Sequence, residues 1–313
     1  MLEKNPEFHN KANFKDKYFT NDGKERAFVN FNTFEILWFN TGTLCNIECK
    51  NCYIESSPKN DSLAYIKFGE VEKFLDEIIT IDKIKTVGFT GGEPFMNPDI
   101  IDIISECLNR NFDVLVLTNA MRPMMRHNIS LLNLKKKYAN KLSIRVSLDS
   151  FDKNIHDSHR GDSSWGKALF GLLWLSDNSF NFKVATRKFS EDNEYSIRKS
   201  FNQLFEKFKI RLDAFSNNDL IIFPEMTDNF FSQEISTECW GKVKIKPDEL
   251  MCSNSRMIVK KKNKDKPNVQ ACTLIPYHPD FDLGKTLKQS KKKVYLNHRF
   301  CSQFCVLGGS SCS

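Results

Sequence analysis

The chain has 313 residues, 40% hydrophobic and 27% charged, with a formal net charge of +7. That is enough chain for one large α/β domain with a smaller appendage, and enough apolar residue for a packed core. No run approaches the ~18 apolar residues of a membrane span, and the start, Met-Leu-Glu-Lys-Asn-Pro, carries no apolar signal segment; a cytoplasmic protein without a membrane partner is expected.

Residues 1–33 are polar with scattered aromatics and read as an extension that packs on or beside the domain after it. An apolar run of strand length, 34–40, ends in Thr41-Gly42-Thr43. The loop that follows reads Cys-Asn-Ile-Glu-Cys-Lys-Asn-Cys at 45–52, with Tyr53 next. Residues 69–79 place apolar side chains at helical spacing. A second strand, 86–90, runs into Gly91-Gly92-Glu93-Pro94. Asn97-Pro98-Asp99 opens a helix to about 109 with proline in its first turn, and Cys107 falls there as a small buried thiol. A strand at 112–119, a helix at about 129–139, a strand at 142–149 and a helix at 165–175 follow. A strand at 182–186, a helix at 193–208 and a last strand at 220–223 complete the pattern. Six strand–helix units make a parallel sheet with helices outside, too few for a closed eight-stranded barrel.

Of ten cysteines, nine lie in the 45–52 loop or after position 238. Without a secretion signal, metal ligation explains them better than disulfides. Three thiols at a three-then-two spacing can converge on one metal centre from a single loop. Iron–sulfur cubes take cysteine thiolates, normally four, so three leave one iron open to another ligand. A three-cysteine zinc knuckle completed by a distant Cys or His is the alternative. The lysine runs at 260–264 and 291–293 could bind nucleic acid or an acidic partner. Aromatics are not interleaved with them as a single-strand surface requires, so they read as solvated loops and no nucleic-acid partner is expected.

The loop at 45–52 after the first strand and Gly-Gly-Glu-Pro after the second resemble the two signatures of the radical S-adenosylmethionine (radical SAM) superfamily, Cys-x3-Cys-x2-Cys and Gly-Gly-Glu-Pro. The resemblance implies α/β architecture, an open partial (β/α)6 TIM-type barrel over 34–235, with ligands at the carboxyl ends of its strands. It implies an enzyme in which Cys45, Cys49 and Cys52 hold a 4Fe–4S cluster. SAM would be reductively cleaved there, and a 5′-deoxyadenosyl radical would take hydrogen from a substrate. Gly91 and Gly92 would let backbone approach the ligand, and Glu93 would offer its carboxylate to the SAM ammonium. Thr118-Asn119 and Ser147-x-Asp149 end two further strands, where their short polar side chains could bond the ribose hydroxyls; for Thr118 and Asn119, strand-end caps and turn makers are the alternative. Ser147-Leu148-Asp149, His156-Asp157 and Arg160-Gly161 resemble a run in the SPASM-related branch, where the Ser and the Arg contact SAM, the Arg near its carboxylate. His156 and His159 read as structural or loop residues.

After about 235, Cys239, Cys252, Cys272, Cys301, Cys305 and Cys312 lie in a Lys-rich segment of weak periodicity. Such a segment needs a staple, which metal can supply. The stretches 252–257, 269–272 and 283–287 and the tail Cys301-x3-Cys305-x6-Cys312 resemble the auxiliary-cluster appendix called SPASM or, shortened, twitch. They depart from it where Pro267 replaces an expected glycine and in the tail spacing. The resemblance implies a small iron–sulfur domain at 236–313 with one auxiliary 4Fe–4S cluster on Cys252, Cys272, Cys301, Cys305 and Cys312; Cys239 stays unassigned and zinc is the alternative. A reductant such as flavodoxin or ferredoxin is implied as a partner. The substrate is left as a small molecule, a peptide or a protein, and an extension too short for a leader-binding domain tilts towards a small molecule or an unrelated partner protein. Two other classes stay open: a zinc-stapled nucleic-acid-binding protein and a non-catalytic iron–sulfur electron-transfer protein.

Overall fold

The computed structural model describes residues 13–81, 84–189, 193–226 and 232–311. A two-residue strand, β1 (Phe28–Val29), comes first, then β2 (Ile36–Asn40), helix α1 (Phe68–Ile81), β3 (Thr86–Thr90), α2 (Ile100–Asn109) and β4 (Asp113–Thr118). Next are α3 (Arg122–Met125), α4 (Asn128–Tyr138), β5 (Leu142–Ser147), α5 (Lys153–Arg160), α6 (Ser164–Asp177), β6 (Asn181–Lys188), α7 (Glu194–Phe208) and β7 (Leu220–Pro224). Strands β2 to β7 lie side by side in chain order, every pair parallel. The alternating pattern predicts this parallel sheet, and the family resemblance implies its form, a partial (β/α)6 barrel.

Strand periodicity sorts the side chains into two cores. Leu37 and Phe39 of β2, Val114 and Val116 of β4, and Ile144 and Val146 of β5 pack against the outer helices. Trp38, Leu115 and Leu117 turn inward. A Cβ on Gly88 would stand 2.4 Å from the Trp38 ring, so the indole plugs the barrel where β3 has no side chain. Proline 98 stands before α2 rather than in its first turn. The Asp99 carboxylate beside it accepts from the Phe68 amide at 3.0 Å and ties α1 to α2. Cys107 is fully buried on α2, as its spacing predicts.

The sheet does not stop at β7. Strand β8 (Ser255–Val259) joins β2 in parallel, and β9 (Asn268–Gln270) and β10 (Asp282–Gly284) follow antiparallel, giving nine strands in one sheet. Every residue of β8 is buried, including Arg256, so no apolar–polar alternation marks it in the sequence. The Arg256 guanidinium donates to the carbonyls of Cys252 (2.7 Å), Ser255 (2.7 Å), Ser290 (3.0 Å) and Lys292 (3.1 Å), binding loops that have little apolar content. The described part of the N-terminal extension packs on this C-terminal third rather than on the barrel helices. Strand β1 pairs with β11 (Val294–Tyr295), and buried Arg26 meets Glu234 at 2.7 Å.

The lysine runs are engaged within the fold. Lys260 pairs with Glu70, Lys261 with Asp282 and Lys262 with Asp61, while Lys291 lies over Phe31 and Phe34 and Lys293 over Phe28. Among the described residues no helix is long and apolar enough to cross a membrane.

Candidate active site

The carboxyl end of β2 leads through Thr41 and Gly42 into the cysteine loop, and the carboxyl end of β3 leads into Gly91-Gly92-Glu93. The two segments are fastened together. Gly92 N–H donates to Gly42 O at 2.8 Å and Glu93 N–H to Leu44 O at 3.1 Å. A Cβ at Gly91, whose φ is +135°, would meet Gly42 O at 2.6 Å, and one at Gly92 would meet Leu44 O at 2.2 Å. These glycines are needed because the chain that delivers Cys45 runs against them. Sequence reasoning assigned their small size to a ligand; in the structure the same small size also makes room for the loop, and both glycines line the cavity.

Within the loop Asn51 takes a left-handed conformation (φ 58°), which asparagine tolerates. Lys50 N–H donates to His159 O at 2.7 Å, tying the loop to the end of α5. The Ser56 amide donates to Cys52 Sγ at 3.3 Å and Asn119 Nδ2 to Cys45 Sγ at 3.8 Å. Cys45, Cys49 and Cys52 line one cavity of about 180 Å³ at the barrel mouth, with Gly91, Gly92, Thr118, Asn119, Ser147 and Arg160 on the same walls. That volume far exceeds the space of a single water. Burial pushes the Cys45 thiol up to about 12 and raises Cys49 as well, so loading metal on these thiols must release protons.

Glu93 stands behind the cavity wall, 1% exposed. Its carboxylate accepts from Thr118 Oγ1 at 2.7 Å and from the Asn119 amide at 2.9 Å. Asn119 Nδ2 in turn donates to Asn46 Oδ1 at 2.9 Å, inside the cysteine loop. Thr118 and Asn119 are thus set in place by Glu93 and form the wall in front of it. Burial pushes the Glu93 carboxyl up to about 7, against the donors from Asn119, Thr118 and Phe95. A folded-state value above the ordinary 4.5 means the native protein holds this proton more tightly than the unfolded chain. The stabilisation is full below about 4.5 and is lost as pH rises towards about 7. Metal-free protein should therefore lose on the order of 3 kcal/mol across that window from this group. Urea denaturation as a function of pH should show a flatter slope in Glu93→Gln.

The opposite wall is electrostatic. Arg160, at the end of α5, meets Asp149 through Nε–Oδ2 at 2.8 Å and Nη2–Oδ1 at 2.9 Å. Arg187, at the end of β6, approaches the same carboxylate at 3.5 Å, donates to Asn51 O at 3.4 Å and lies over the Tyr53 ring at 5.0 Å. Burial alone would raise the Asp149 carboxyl, but the two guanidinium charges outweigh it and hold the group well below the usual range. Asp149, Arg187 and Arg145 all line the cavity; Asp149 lay within the Ser147–Asp149 run read in the sequence, whereas Arg145 and Arg187 were not singled out there. The alternation of β5, which puts Arg145 on the face of Ser147, was the available signal. His156 is buried within α5, where burial pulls its imidazole down to about 4, and His159 stacks on Phe189.

A second, apolar cavity gathers Cys252, Cys272, Cys301 and Cys305 among Met251, Leu274 and Phe300. Cys301 and Cys305 come from a single π-helix, Cys301–Val306. Burial pushes the Cys252 thiol up to about 11. Cys239 lies outside this cavity, near Ser236, and Cys312 lies outside the described residues. Tyr53 spans the gap, its ring 5.7 Å from Phe300 and 6.3 Å from Phe304. Among the described residues no group of three or more His, Cys, Asp or Glu is gathered so as to hold a single metal ion; the thiols share cavities instead.

Residues 39–189 match the family model described as the radical SAM superfamily. Over 154 residues the chain is 33% identical to the antilisterial bacteriocin subtilosin biosynthesis protein AlbA of Bacillus subtilis (strain 168), covering 49% of this chain and 33% of that protein. Over 160 residues it is 25% identical to an AdoMet-dependent heme synthase of Methanosarcina barkeri (strain Fusaro / DSM 804), covering 50% and 43%. The chain thus spans less than half the length of these two curated relatives. The solved structure of native anSMEcpe with bound AdoMet superposes with a TM-score of 0.59 at 14% identity, covering 82% of this chain and 80% of that one, a likeness of fold. The matched residues contain the cysteine loop, the Gly-Gly-Glu-Pro segment fastened to it and the Asp149–Arg160 pair, and it is over this stretch, 39–189, that the chain matches the radical SAM superfamily.

Proposed function

We propose that the protein is a radical SAM enzyme, with 34–235 as its catalytic barrel, 1–33 as an extension and 236–313 as an auxiliary-cluster domain. The observation that carries this reading is that three thiols from one loop and the polar side chains at the ends of β4 and β5 open onto one cavity at the carboxyl ends of the strands. The donor set fits a 4Fe–4S cluster. All three ligands are cysteines, and buried Ser56 Oγ, with no hydrogen-bond partner among the described residues, borders the same space. Such a cluster, when bound, supplies the electron that opens a sulfonium C–S bond of SAM, giving methionine and a 5′-deoxyadenosyl radical for hydrogen abstraction.

The chain's own groups bind and orient. Arg160 keeps donors beyond those it gives Asp149 and can receive a carboxylate. Ser147, Thr118 and Asn119 offer hydroxyl and amide groups for a nucleoside. Glu93 holds the last two in position, and its carboxylate answers a nearby ammonium when ionised. Four thiols in the second cavity match the ligand count of one auxiliary 4Fe–4S cluster with every iron held by protein. A reductant such as flavodoxin or ferredoxin supplies the electrons. The substrate is a small molecule, peptide or protein; the name of the Bacillus subtilis relative, a bacteriocin biosynthesis protein, favours a peptide.

The test is anaerobic reconstitution, reduction with dithionite and incubation with SAM. Formation of 5′-deoxyadenosine, followed by chromatography, is the expected result. Protein that binds iron and releases no 5′-deoxyadenosine would be an electron carrier instead.

A further inference from the structure

Among the described residues two arginines are wholly buried, Arg26 and Arg256. Arg26 has a carboxylate, Glu234, at 2.7 Å. No carboxylate among the described residues pairs with Arg256. Its guanidinium has instead the carbonyls of Cys252, Ser255, Ser290 and Lys292 and the face of Phe31, with the ring centre 4.4 Å away. Dipoles and a ring quadrupole orient a cation without cancelling its charge. An arginine keeps its proton even when buried, and a buried charge without an opposite one is costly.

One of those carbonyls points to the anion that answers it. It belongs to Cys252, and the bond to it, 2.7 Å, is as short as any that Arg256 makes. The same residue lines the second cavity with Cys272, Cys301 and Cys305. The Arg256 charge works against the burial that pushes the Cys252 thiol up, and a Cys252 thiolate works against the burial that pulls the guanidinium down. The described lining of the cavity is four thiols and apolar side chains, with no cation of its own. Four thiolates outweigh the positive charge of a cube they hold, so the loaded cavity would contain an anion that becomes more negative on reduction. Among apolar walls a fixed charge nearby is only weakly screened.

We propose that Arg256 is the built-in counter-charge of the auxiliary 4Fe–4S cluster and raises its reduction potential, acting through the cavity wall rather than as a ligand. The inference rests on the auxiliary-cluster reading above. In the reduction that tests it, one electron passes from titanous citrate to the cube. No bond breaks, and the guanidinium, already protonated, takes up no proton. Arg256 is thus a positioning residue for charge, as hydrogen bonds and charges around a cluster tune it without touching iron.

The experiment uses full-length protein with Cys45, Cys49 and Cys52 changed to Ala, so that only the second cavity can hold a cube. It is reconstituted anaerobically, its iron is counted, and its electron paramagnetic resonance is followed against the measured potential. Arg256→Gln should lower the ratio of reduced to oxidised cluster at a given potential about tenfold or more, a shift of ~59 mV or more for one electron. Arg256→Lys keeps the charge but not the four bonds, and should stay within about threefold of the ratio found with Arg256. A merely structural role would weaken iron loading in both variants and leave the potential of the loaded fraction alone. If Arg256→Gln does not fold, Phe31→Glu decides, because it leaves the four carbonyl bonds in place and sets a carboxylate against the guanidinium. It should lower the ratio several-fold, and Phe31→Gln should not. The proposal is overturned if the loaded Arg256→Gln or Phe31→Glu protein titrates at the potential found without the change, or if Arg256→Lys falls as far as Arg256→Gln. A protein that takes up no reducible cluster overturns the auxiliary-cluster reading and this proposal together, whereas a cluster whose potential ignores residue 256 overturns this proposal alone.

Discussion

Changing Cys45, Cys49 and Cys52 together to Ala should leave a folded protein that binds about four irons fewer than the unaltered one and cleaves no SAM, since a cube holds four irons. The three thiols share one cavity and the four C-terminal ones another, so the two metal complements should come apart cleanly. The variant should keep about four irons and the absorption of a 4Fe–4S cluster on Cys252, Cys272, Cys301 and Cys305. Further changing Cys301 and Cys305, which ride on one π-helix, should remove that iron as well. Unaltered iron in the first variant would show that the 45–52 loop holds none. Zinc without iron in it would replace the auxiliary cluster by a structural zinc site and leave the radical SAM reading intact.

Asp149→Ala should be the most destabilising single change near the site. Asp149 is 3% exposed and answers two guanidinium groups that are themselves mostly buried. Removing it leaves Arg160 and Arg187 as uncompensated charges, a loss of roughly 3–5 kcal/mol for a buried pair. Chemical denaturation at neutral pH measures this directly. SAM affinity should fall too, because Arg160 loses the partner that orients it. The carboxyl is held below its ordinary value, so its stabilisation is present above the ordinary carboxylate range and is lost as pH falls through the folded-state value. The difference between the unaltered protein and Asp149→Ala should therefore shrink in acid. A variant as stable as the unaltered protein at neutral pH would mean the arginines find other partners.

The barrel was legible in the sequence because strands such as β4 and β5 alternate outward apolar positions against helices with a clear 3.6-residue spacing, such as α1 and α2. Helix α5 was not, since Lys153–Arg160 is polar but for the exposed Ile155, and its caps, not an apolar stripe, define it. Strand β8 was hidden by the opposite condition, burial on both faces with a serine and an arginine inside. At the site, spacing disclosed the thiols and Gly-Gly-Glu-Pro. It could not disclose that the glycines face Leu44 and Gly42, or that Glu93 is held by Thr118 and Asn119 behind the cavity wall, because both depend on the approach of two loops from neighbouring strands. Asp149 stood within a recognised run, yet its two arginine partners come from α5 and β6 and meet only in three dimensions.

The placement of β8 beside β2 bears on when the protein becomes competent. Glu35 and Asn254, 219 positions apart, are joined by a hydrogen bond at the start of that pairing. As the chain leaves the ribosome, β2 therefore has one edge without a partner until residues 255–259 have been made, and an open edge of this kind invites pairing with other chains. Long-range closure of this sort is slow. The cysteine loop hangs directly from the carboxyl end of β2. Metal insertion at 45–52 thus belongs after β8 has been made and has closed the edge of β2.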